Sequence, residues 1–547
     1  MWTARRDSGP AVEVRFIAAH PSAGCALAVL ATLLVGCGGG GEAARQPSES
    51  SHGSSATSAD YRWLVRTEGA PPSIAAENRA PGTTAWRLPG PSTLLGGAAT
   101  GAIEGYVAEQ AVEAGETERV YVNAPGAREV TLRVYRMGWY GGSGGRLVLR
   151  SRPLAATRQP PCTHRFYTGL TECRWRATLS FAIPQALASG VYIVKLKASD
   201  GAQSDCLFVV RAKRPGALLV QIPTATYEAY NAWGGDSLYP GGTKRVGATG
   251  TSQGVEVSYD RPYESQTGAG QFFIREVAMV RFLERYGYPA SYTTIDSIDR
   301  DPSQVLGVRA LIDVGHSEYW SQRAESAFAR ARDAGTNLIF ISSDTMAWRV
   351  RFAPAGEGSS QVGEADHRIV AYKEHAAIDP ERAEASGPFP FGGANLVGSA
   401  YNGCITPRVA QSGPPVYRYY AWTPAADMQP AWLFAHTGVT ASTRIPGIVG
   451  YELDQRAPAT PPDTVLVGFG AGVCGAATEP SPVHGTVAES TLYTARSGAF
   501  VFATGTLGWE YALSPVPQSS PDAPPAPDPR VVAMTRNLLA RALGGAG

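Results

Sequence analysis

The stretch ALIDVGHSEYWSQRAESAFARARDAGTNLIFISSD, residues Ala310–Asp344, holds two apolar runs with an amphipathic segment between them. The run before Gly315 predicts a buried strand, and NLIFIS predicts another. Between them, helical spacing from about Ser321 to Ala334 stops at Gly335, a residue that commonly follows a helix. Strand, helix and strand in this order are typical of a βαβ unit with parallel strands.

The same alternation begins at Pro215. GALLVQI reads as a continuous apolar strand, and FFIREVAMVRFLERYG has helical spacing and ends on Gly287. Continuous apolar strands are typical of sheets that are covered on both faces. We therefore predict that residues 215–547 form an α/β domain with a mostly parallel sheet and helices on both faces.

Residues 61–214 have a different pattern. VTLRVYRMG, RLVLRS and GVYIVKLKASD alternate apolar and polar residues and are separated by glycine-rich turns. This alternation predicts an immunoglobulin-like β-sandwich domain. The aromatic run Tyr135–Tyr140 could bind a ligand, but it fits a packed strand and turn better. The polar, proline-containing segment RAKRPG predicts the end of this domain at Arg214.

The N-terminus reads as an export signal. Arginines precede the apolar segment Cys25–Val35, which is too short to span a bilayer, and LVGC ends at Cys37 in the pattern of a bacterial lipobox. We predict a lipoprotein signal peptide over residues 1–37, lipid attachment at Cys37 and a flexible Gly/Ser-rich linker over 38–60. The protein would then be anchored in the bacterial cell envelope, facing the periplasm or the outside. Ordinary secretion with cleavage nearby is the alternative.

Cysteine spacing and net charge indicate which disulfides can form and exclude some classes of ligand. An exported protein can form disulfides, and the plausible pairs are Cys162 with Cys173 and Cys404 with Cys474, which leaves Cys206 over. No spacing typical of a zinc site appears. The 48 Lys and Arg residues nearly balance the 47 Asp and Glu residues, and no basic cluster interleaved with aromatics is present. Nucleic acid is therefore not expected as a partner.

Polar clusters follow three of the predicted strands. PTATYEAYNAWGGDSLY follows the first, GHSEYW the second and SSDTMAWRVR the third. Because ligands of open α/β sheets bind at the carboxyl ends of the strands, these clusters should share one pocket. The predicted site contains Tyr227, Tyr230, Asn231, Tyr239, His316, Glu318 and Asp344.

A family resemblance appears at these residues. AYNAWGGDSLY, SYDRPY, GHSEYW, AWRVR, GIVGYELD and TGTLGWEYAL together resemble the C-terminal domain of the N,N-dimethylformamidase large (beta) subunit. Upstream, EGYVAEQAVEAGE and VYRMGWYGGSGGR resemble the sandwich domain that often precedes it in exported relatives. The resemblance covers most of the chain from about Ala102.

The resemblance implies an amidohydrolase of linear amides with one Fe(III) per chain. Carried over by motif, the metal ligands are Tyr230, Tyr239 and Glu318, with Tyr227 as a substitute for one of the tyrosines. His316 and Glu452 would be the catalytic residues. Where relatives commonly have Gly-Gly-Asn, this chain has Ser342, Ser343 and Asp344.

The chemistry of these side chains agrees with that assignment. Phenolate and carboxylate oxygens favour Fe(III) over zinc, and such an ion polarises a carbonyl and activates water. His316 would pass a proton to the leaving nitrogen, while Glu452 would act as base or orient the water. The remaining predicted residues would hold the ligands or line the pocket: Asn231 and Asp344 as polar supports, and Trp233, Trp320 and Trp348 as an apolar wall.

Two functions follow from this reading. The favoured one is an exported, membrane-anchored, metal-dependent hydrolase that cleaves the C–N bond of a small amide. The alternative is a non-catalytic surface protein that binds carbohydrate or peptide through the same pocket. The sequence leaves the oligomeric state open.

Overall fold

The computed structural model describes residues 60–89, 101–241, 249–264, 268–409, 416–475, 481–514 and 522–545. The predicted signal peptide at 1–37, Cys37 within it and nearly all of the linker at 38–60 lie outside these residues. No helix among the described residues is both long enough and apolar enough to cross a membrane.

Antiparallel sheets dominate the N-terminal part. The short helix α1 is Ile74–Glu77. The strands are β1 (Tyr61–Trp63), β2 (Glu104–Val107), β3 (Ala111–Glu113), β4 (Thr117–Asn123), β5 (Glu129–Met137), β6 (Gly145–Ser151), β7 (Leu154–Ala155), β8 (Thr163–His164), β9 (Thr171–Glu172), β10 (Ala177–Ala182), β11 (Gly190–Ala198) and β12 (Gln203–Arg211). One sheet has the order β1-β6-β5-β11-β12-β3, with β7 beside β5, and a second has the order β10-β4-β2.

The two sheets enclose one apolar core. Val120 on β4 and Phe181 on β10 come from the smaller sheet, and Leu132, Val194 and Phe208 come from the larger one. All five are buried, as the alternating pattern of these strands requires when one face meets a partner sheet. Strands β8 and β9 form a separate hairpin that the Cys162–Cys173 disulfide closes.

The rest of the chain forms a larger, mixed sheet with smaller ones beside it. The strands of this part of the chain, in all of its sheets together, are β13 (Leu218–Ile222), β14 (Glu256–Ser258), β15 (Ala290–Thr294), β16 (Ala310–His316), β17 (Tyr319–Ser321), β18 (Asn337–Ser343), β19 (Trp348–Ala353), β20 (Arg368–Val370), β21 (Gly387–Pro388), β22 (Ala400–Ile405), β23 (Tyr420–Pro424), β24 (Ile445–Val449), β25 (Glu452–Gln455), β26 (Val465–Ala471), β27 (Val487–Thr494) and β28 (Phe500–Ala503). Its helices are α2 (Thr224–Ala229), α3 (Val277–Arg285), α4 (Ile295–Arg300), α5 (Gln322–Asp333), α6 (Ala394–Val397), α7 (Ala431–Phe434) and α8 (Pro529–Ala542). Short 3-10 segments occur in both parts of the chain, at Tyr140–Gly142, Phe272–Ile274, Pro302–Val305, Lys373–Ile378, Arg382–Glu384, Pro390–Gly393 and Trp509–Ala512.

The prediction of a mostly parallel α/β fold with helices on both faces is wrong. The described part of the chain is mostly β, with 33% of its residues in strands and 19% in helices. In the nine-stranded sheet, β15-β13-β16-β18-β28 run parallel, but β27, β26, β23 and β24 continue it antiparallel. Antiparallel strands need only short connections, so the chain after β18 returns through loops and short helices rather than through long crossover helices.

The parallel half of the sheet sets up the candidate site. Strands β13, β16 and β18 are neighbours, with Val220 beside Ile312 and Ile312 beside Ile339. Helix α5 connects β16 and β18, and the side chain of Ser321 caps it by accepting a hydrogen bond from Ala324 N. The carboxyl ends of these three strands therefore meet at one edge.

Ion pairs join the N-terminal part of the chain to the residues that follow it. Arg136 on β5 forms an ion pair with Glu284 on α3, and both side chains are fully buried. Arg368 on β20 pairs with Glu172 on β9. The domain boundary at 214 stays a prediction, since one compact unit contains the described residues on both sides of it. A second disulfide joins Cys404 to Cys474. The pairs Cys162–Cys173 and Cys404–Cys474 are therefore the two that the sequence analysis named as plausible. Cys206 is free and buried.

Candidate functional site

The end of β16 supplies two of the site's side chains. His316 is its last residue, and Glu318 follows two positions later; both are fully buried. The backbone between them is held in place, because Thr226 Oγ1 accepts a hydrogen bond from Glu318 N at 3.1 Å and Ser317 Oγ donates to Asp313 Oδ1 at 2.7 Å. The loop after this strand is thus a rigid support.

Two tyrosines from the segment after β13 meet Glu318. Tyr230 lies at the end of α2, and Tyr239 follows a loop that returns to α2, where Leu238 N donates to Ala229 O at 2.9 Å. Tyr239 Oη lies 2.9 Å from Tyr230 Oη and 2.5 Å from Glu318 Oε1. Three oxygen atoms of the predicted ligand set therefore converge on one point.

A second group of donors surrounds His316. Its Nε2 lies 2.9 Å from Glu452 Oε2, 3.3 Å from Glu318 Oε2 and 3.9 Å from Asp344 Oδ2. His316, Asp344 and Glu452 each present one ligand atom within 4.8 Å of the others, so these three form a candidate metal-binding group by themselves. Glu318 links this group to the tyrosines, because its other oxygen contacts Tyr239.

The carboxylates control the charge of His316. Burial alone would lower its pKa, but Glu452 and then Glu318 outweigh burial and raise the pKa above its ordinary value. The two carboxylates therefore favour the protonated form of the His316 imidazole. Behind Glu452 on the same side of β25 lies Asp454, whose pKa burial raises to about 7 although Asp344 N and Ser343 Oγ donate hydrogen bonds to it.

The donor set fits a hard metal ion. Carboxylate and phenolate oxygens predominate, one imidazole is present, and all of the carboxylates are buried where isolated negative charge is costly. A cation held among them would lower that cost. The geometry thus agrees with the binding of a hard metal ion.

The chain matches the family model described as N,N-dimethylformamidase beta subunit-like, C-terminal, over residues 131–523. It belongs to this family. The match begins on β5 inside the N-terminal sheets and includes all of the site residues described above. Membership suggests a hydrolase of the dimethylformamidase type.

Comparisons with individual proteins add little. No curated protein matches the chain. One solved structure is that of the alkylpurine DNA glycosylase AlkC from Pseudomonas fluorescens, bound to DNA containing an abasic site analog. It is 12% identical to this chain, with a TM-score of 0.14, and the matched region covers 20% of this chain and 31% of the glycosylase chain. A beta-glucosidase from Listeria innocua is 14% identical, with a TM-score of 0.13, and the matched region covers 20% of this chain and 16% of the glucosidase chain. The chain spans less than a third of either protein's length, and at these TM-scores neither likeness bears on fold or function.

Not all predicted site residues of this dimethylformamidase-like chain contact the cluster. Tyr227 donates its hydroxyl hydrogen bond to Glu276, and Asn231 donates to Glu228 and to Pro262 O. Trp233 Nε1 donates to Glu104 Oε1 at 3.0 Å, which directs its ring toward the N-terminal sheets. Asn231 and Trp233 thus hold the start of the loop that carries Tyr239, whereas Tyr227 contacts Glu276 instead.

The other two tryptophans lie in the core beneath the site. Trp320 Nε1 donates to Ser317 O at 2.9 Å, so its ring supports the loop after β16. Trp348 N donates to Glu318 O at 3.0 Å, and the ammonium of Lys373 lies 4.6 Å from the Trp348 ring centroid. Both tryptophans are buried.

The sequence reasoning missed several neighbours of the site. Tyr451 Oη lies 3.3 Å from His316 Nδ1, and the guanidinium of Arg275 lies 4.7 Å from the Tyr451 ring centroid. The ammonium of Lys373 lies 3.5 Å from the centroid of the Tyr239 ring. Tyr451 directly precedes Glu452, so its position next to a named residue was an available signal, whereas no local pattern marks Arg275 or Lys373.

Proposed function

We propose that this chain is a metal-dependent amidohydrolase that cleaves the C–N bond of a small linear amide at a mononuclear iron site. The observation that supports the proposal most strongly is the convergence of Tyr230 Oη, Tyr239 Oη and Glu318 Oε1 beside the His316–Glu452 pair. Family membership supports the same reaction class.

Tyr230, Tyr239 and Glu318 would hold one Fe(III). When bound, such an ion would polarise the amide carbonyl and lower the pKa of a coordinated water. Glu452 Oε2 and Asp344 Oδ2 lie next to His316 Nε2, at 2.9 and 3.9 Å. They are therefore the groups of this chain best placed to contact the attacking water.

The His316–Glu452 pair can account for both proton transfers. Glu452 accepts a proton from water as the water oxygen attacks the carbonyl carbon. His316, whose protonated form the neighbouring carboxylates favour, gives its Nε2 proton to the amide nitrogen as the C–N bond breaks. A proton then passes from Glu452 Oε2 to His316 Nε2 across 2.9 Å and restores the starting state. One water and one amide thus give one acid and one amine.

Export and anchoring belong to the same proposal. Two disulfides in the described residues agree with an oxidising compartment, and the lipobox cysteine would carry the lipid. Cys37→Ser should move the protein from the membrane fraction to the soluble exported fraction, because two acyl chains hold a protein stably to a bilayer.

The catalytic assignment is tested by amine release from N-substituted formamides and acetamides. His316→Ala should retain its metal but lose roughly 10²- to 10⁴-fold in rate, the usual contribution of a general acid. His484→Ala is the matched control, since His484 is exposed, and it should keep the wild-type rate. A His316→Ala protein with unchanged rate would contradict the proton-transfer role. A wild-type protein without hydrolysis or metal would favour the binding-protein alternative.

A further inference from the structure

The hairpin of β8 and β9 lies against the loop that carries Tyr239. Thr163 pairs with Glu172, and His164 pairs with Thr171, within the segment that the Cys162–Cys173 disulfide closes. We propose that this hairpin positions the loop of residues 232–239 and so holds Tyr239 in the metal site. The inference rests on the proposed function for the role of Tyr239, although the contacts between hairpin and loop do not depend on it.

The hairpin and the loop approach closely. Thr171 Oγ1 lies 3.5 Å from Gly234 O, and His164 Nε2 lies 3.6 Å from Asp236 Oδ2. A Cβ atom at Gly234 would lie 2.9 Å from Thr171 Cγ2, and one at Gly235 would lie 3.0 Å from His164 Cε1. Gly234 also has a φ of +76°, so a side chain there would be strained as well as too close to the hairpin, and at Gly235 the His164 ring would have to shift to admit one.

Further contacts hold the start of the loop to the N-terminal sheets. Trp233 Nε1 donates to Glu104 Oε1 at 3.0 Å, and the Trp233 ring meets the Trp175 ring edge to face at 6.0 Å between centroids. On the opposite side, the buried guanidinium of Arg261 donates to Trp233 O and to Asp236 O, each at 3.1 Å. Hydrogen bonds from Trp233 to Glu104 and from Arg261 to the loop backbone therefore both restrain the loop.

The restraint extends to Tyr239 through a short stretch of chain. Ser237 Oγ accepts a hydrogen bond from Tyr239 N at 3.2 Å, and Leu238 N donates to Ala229 O at 2.9 Å. Only two residues separate Asp236, which the hairpin contacts, from Tyr239. If the hairpin shifts, the phenol oxygen loses its fixed distance to Glu318, and a metal site needs its ligands placed within about 0.5 Å.

The hairpin also contacts the chain beyond the loop. Val255 N donates to Thr168 O, and Cys173 N donates to Asp260 O, each at 2.8 Å. A role limited to burying this surface would predict a general loss of stability when the hairpin is altered. A positioning role predicts instead a local change at residues 232–239.

Two variants test the proposal in the full-length protein. Cys162→Ser/Cys173→Ser opens the hairpin, and His164→Ala/Thr171→Ala keeps the disulfide but removes the contacts to Gly234 and Asp236. Tyr167→Ala, at an exposed position of the same hairpin, is the matched control. The readouts are amide hydrogen exchange of residues 232–239 and the rate at which bound iron passes to a chelator.

We expect at least tenfold faster exchange at residues 232–239 and at least tenfold faster iron release in both altered proteins, with the control unchanged. If the disulfide variant does not fold, the His164→Ala/Thr171→Ala protein decides. Unchanged exchange would overturn the proposal, and so would faster exchange with unchanged iron release. If the wild type holds no iron, the proposed function fails separately, while faster exchange at 232–239 would still support positioning of the loop.

Discussion

The buried ion pair between Arg136 and Glu284 allows a quantitative prediction about how the two parts of the chain depend on each other. Arg136 donates to both Glu284 oxygens at 2.7 Å, to Ser189 O at 2.7 Å and to Tyr140 Oη at 3.0 Å. Neither charged side chain is accessible to solvent. The contact lies in the VYRMGWYGG motif, which explains why an arginine stands in an otherwise apolar and aromatic run.

Arg136→Met should destabilise the protein by about 3–5 kcal/mol, because it leaves the Glu284 carboxylate buried without its cation. The matched control is Arg456→Met, which breaks the ion pair with Glu489. That pair is partly exposed, with 41% of the arginine side chain accessible, so the expected loss is at most about 1 kcal/mol.

The assay is urea unfolding followed by tryptophan fluorescence and by far-UV circular dichroism, since coincident transitions justify converting midpoints into free energies. Arg136→Met/Glu284→Leu removes both charges and should be less destabilised than Arg136→Met alone. The reasoning fails if Arg136→Met lies within 1 kcal/mol of the wild type, or if the double variant is as unstable as the single one.

Two further predictions concern His367 and Lys373. Burial alone would lower the pKa of His367, but Asp260 at 3.0 Å and Glu109 at 3.3 Å raise it to about 10. The pKa of His367 in the folded protein is higher than its value of 6.5 in the unfolded chain, so its proton stabilises the folded state fully below pH 6.5. Roughly 5 kcal/mol of this stability should be lost as the pH rises from 6.5 to 10. In urea unfolding measured at several pH values, His367→Phe should lack this pH dependence, and a variant with the wild-type pH profile would contradict the prediction. The ammonium of Lys373 lies 3.5 Å from the Tyr239 ring centroid and stabilises the electrons of that ring. Lys373→Met removes this stabilisation, so less energy is needed to transfer an electron from the phenolate to iron, and the absorption should move to longer wavelength. An iron-loaded variant with the wild-type absorption maximum would refute this prediction.

Local patterns in the sequence predict the parallel half of the sheet well. The continuous apolar runs of β13, β16 and β18 have no polar face, as strands covered on both sides require. Ser321 and Gly335 delimit α5 because a capping hydroxyl and a residue with positive φ are local requirements. The topology then brings His316, Glu318, Tyr230 and Tyr239 to one edge of the sheet.

The antiparallel half was not predictable in the same way. Strand β23 is only partly buried and β26 contains two glycines, so neither has a clear period, and their pairing depends on tertiary contacts. The run FFIREVAMVRFLERYG predicted one helix, but the structure interrupts it at Arg275, whose backbone leaves the helical region while its side chain donates to Tyr511 Oη at 2.6 Å. Contacts between distant residues of this kind leave no local pattern.

The central claim is that Glu318 and two tyrosines bind iron, and the most direct test is the metal content of Glu318→Ala. Wild-type protein purified without chelators should contain about one iron per chain and absorb visible light through phenolate-to-iron charge transfer. Glu318→Ala should lose the iron and the absorbance together, whereas Glu357→Ala, which removes an exposed carboxylate, should keep both. Full iron occupancy in Glu318→Ala, or a wild-type protein without iron, would contradict the account.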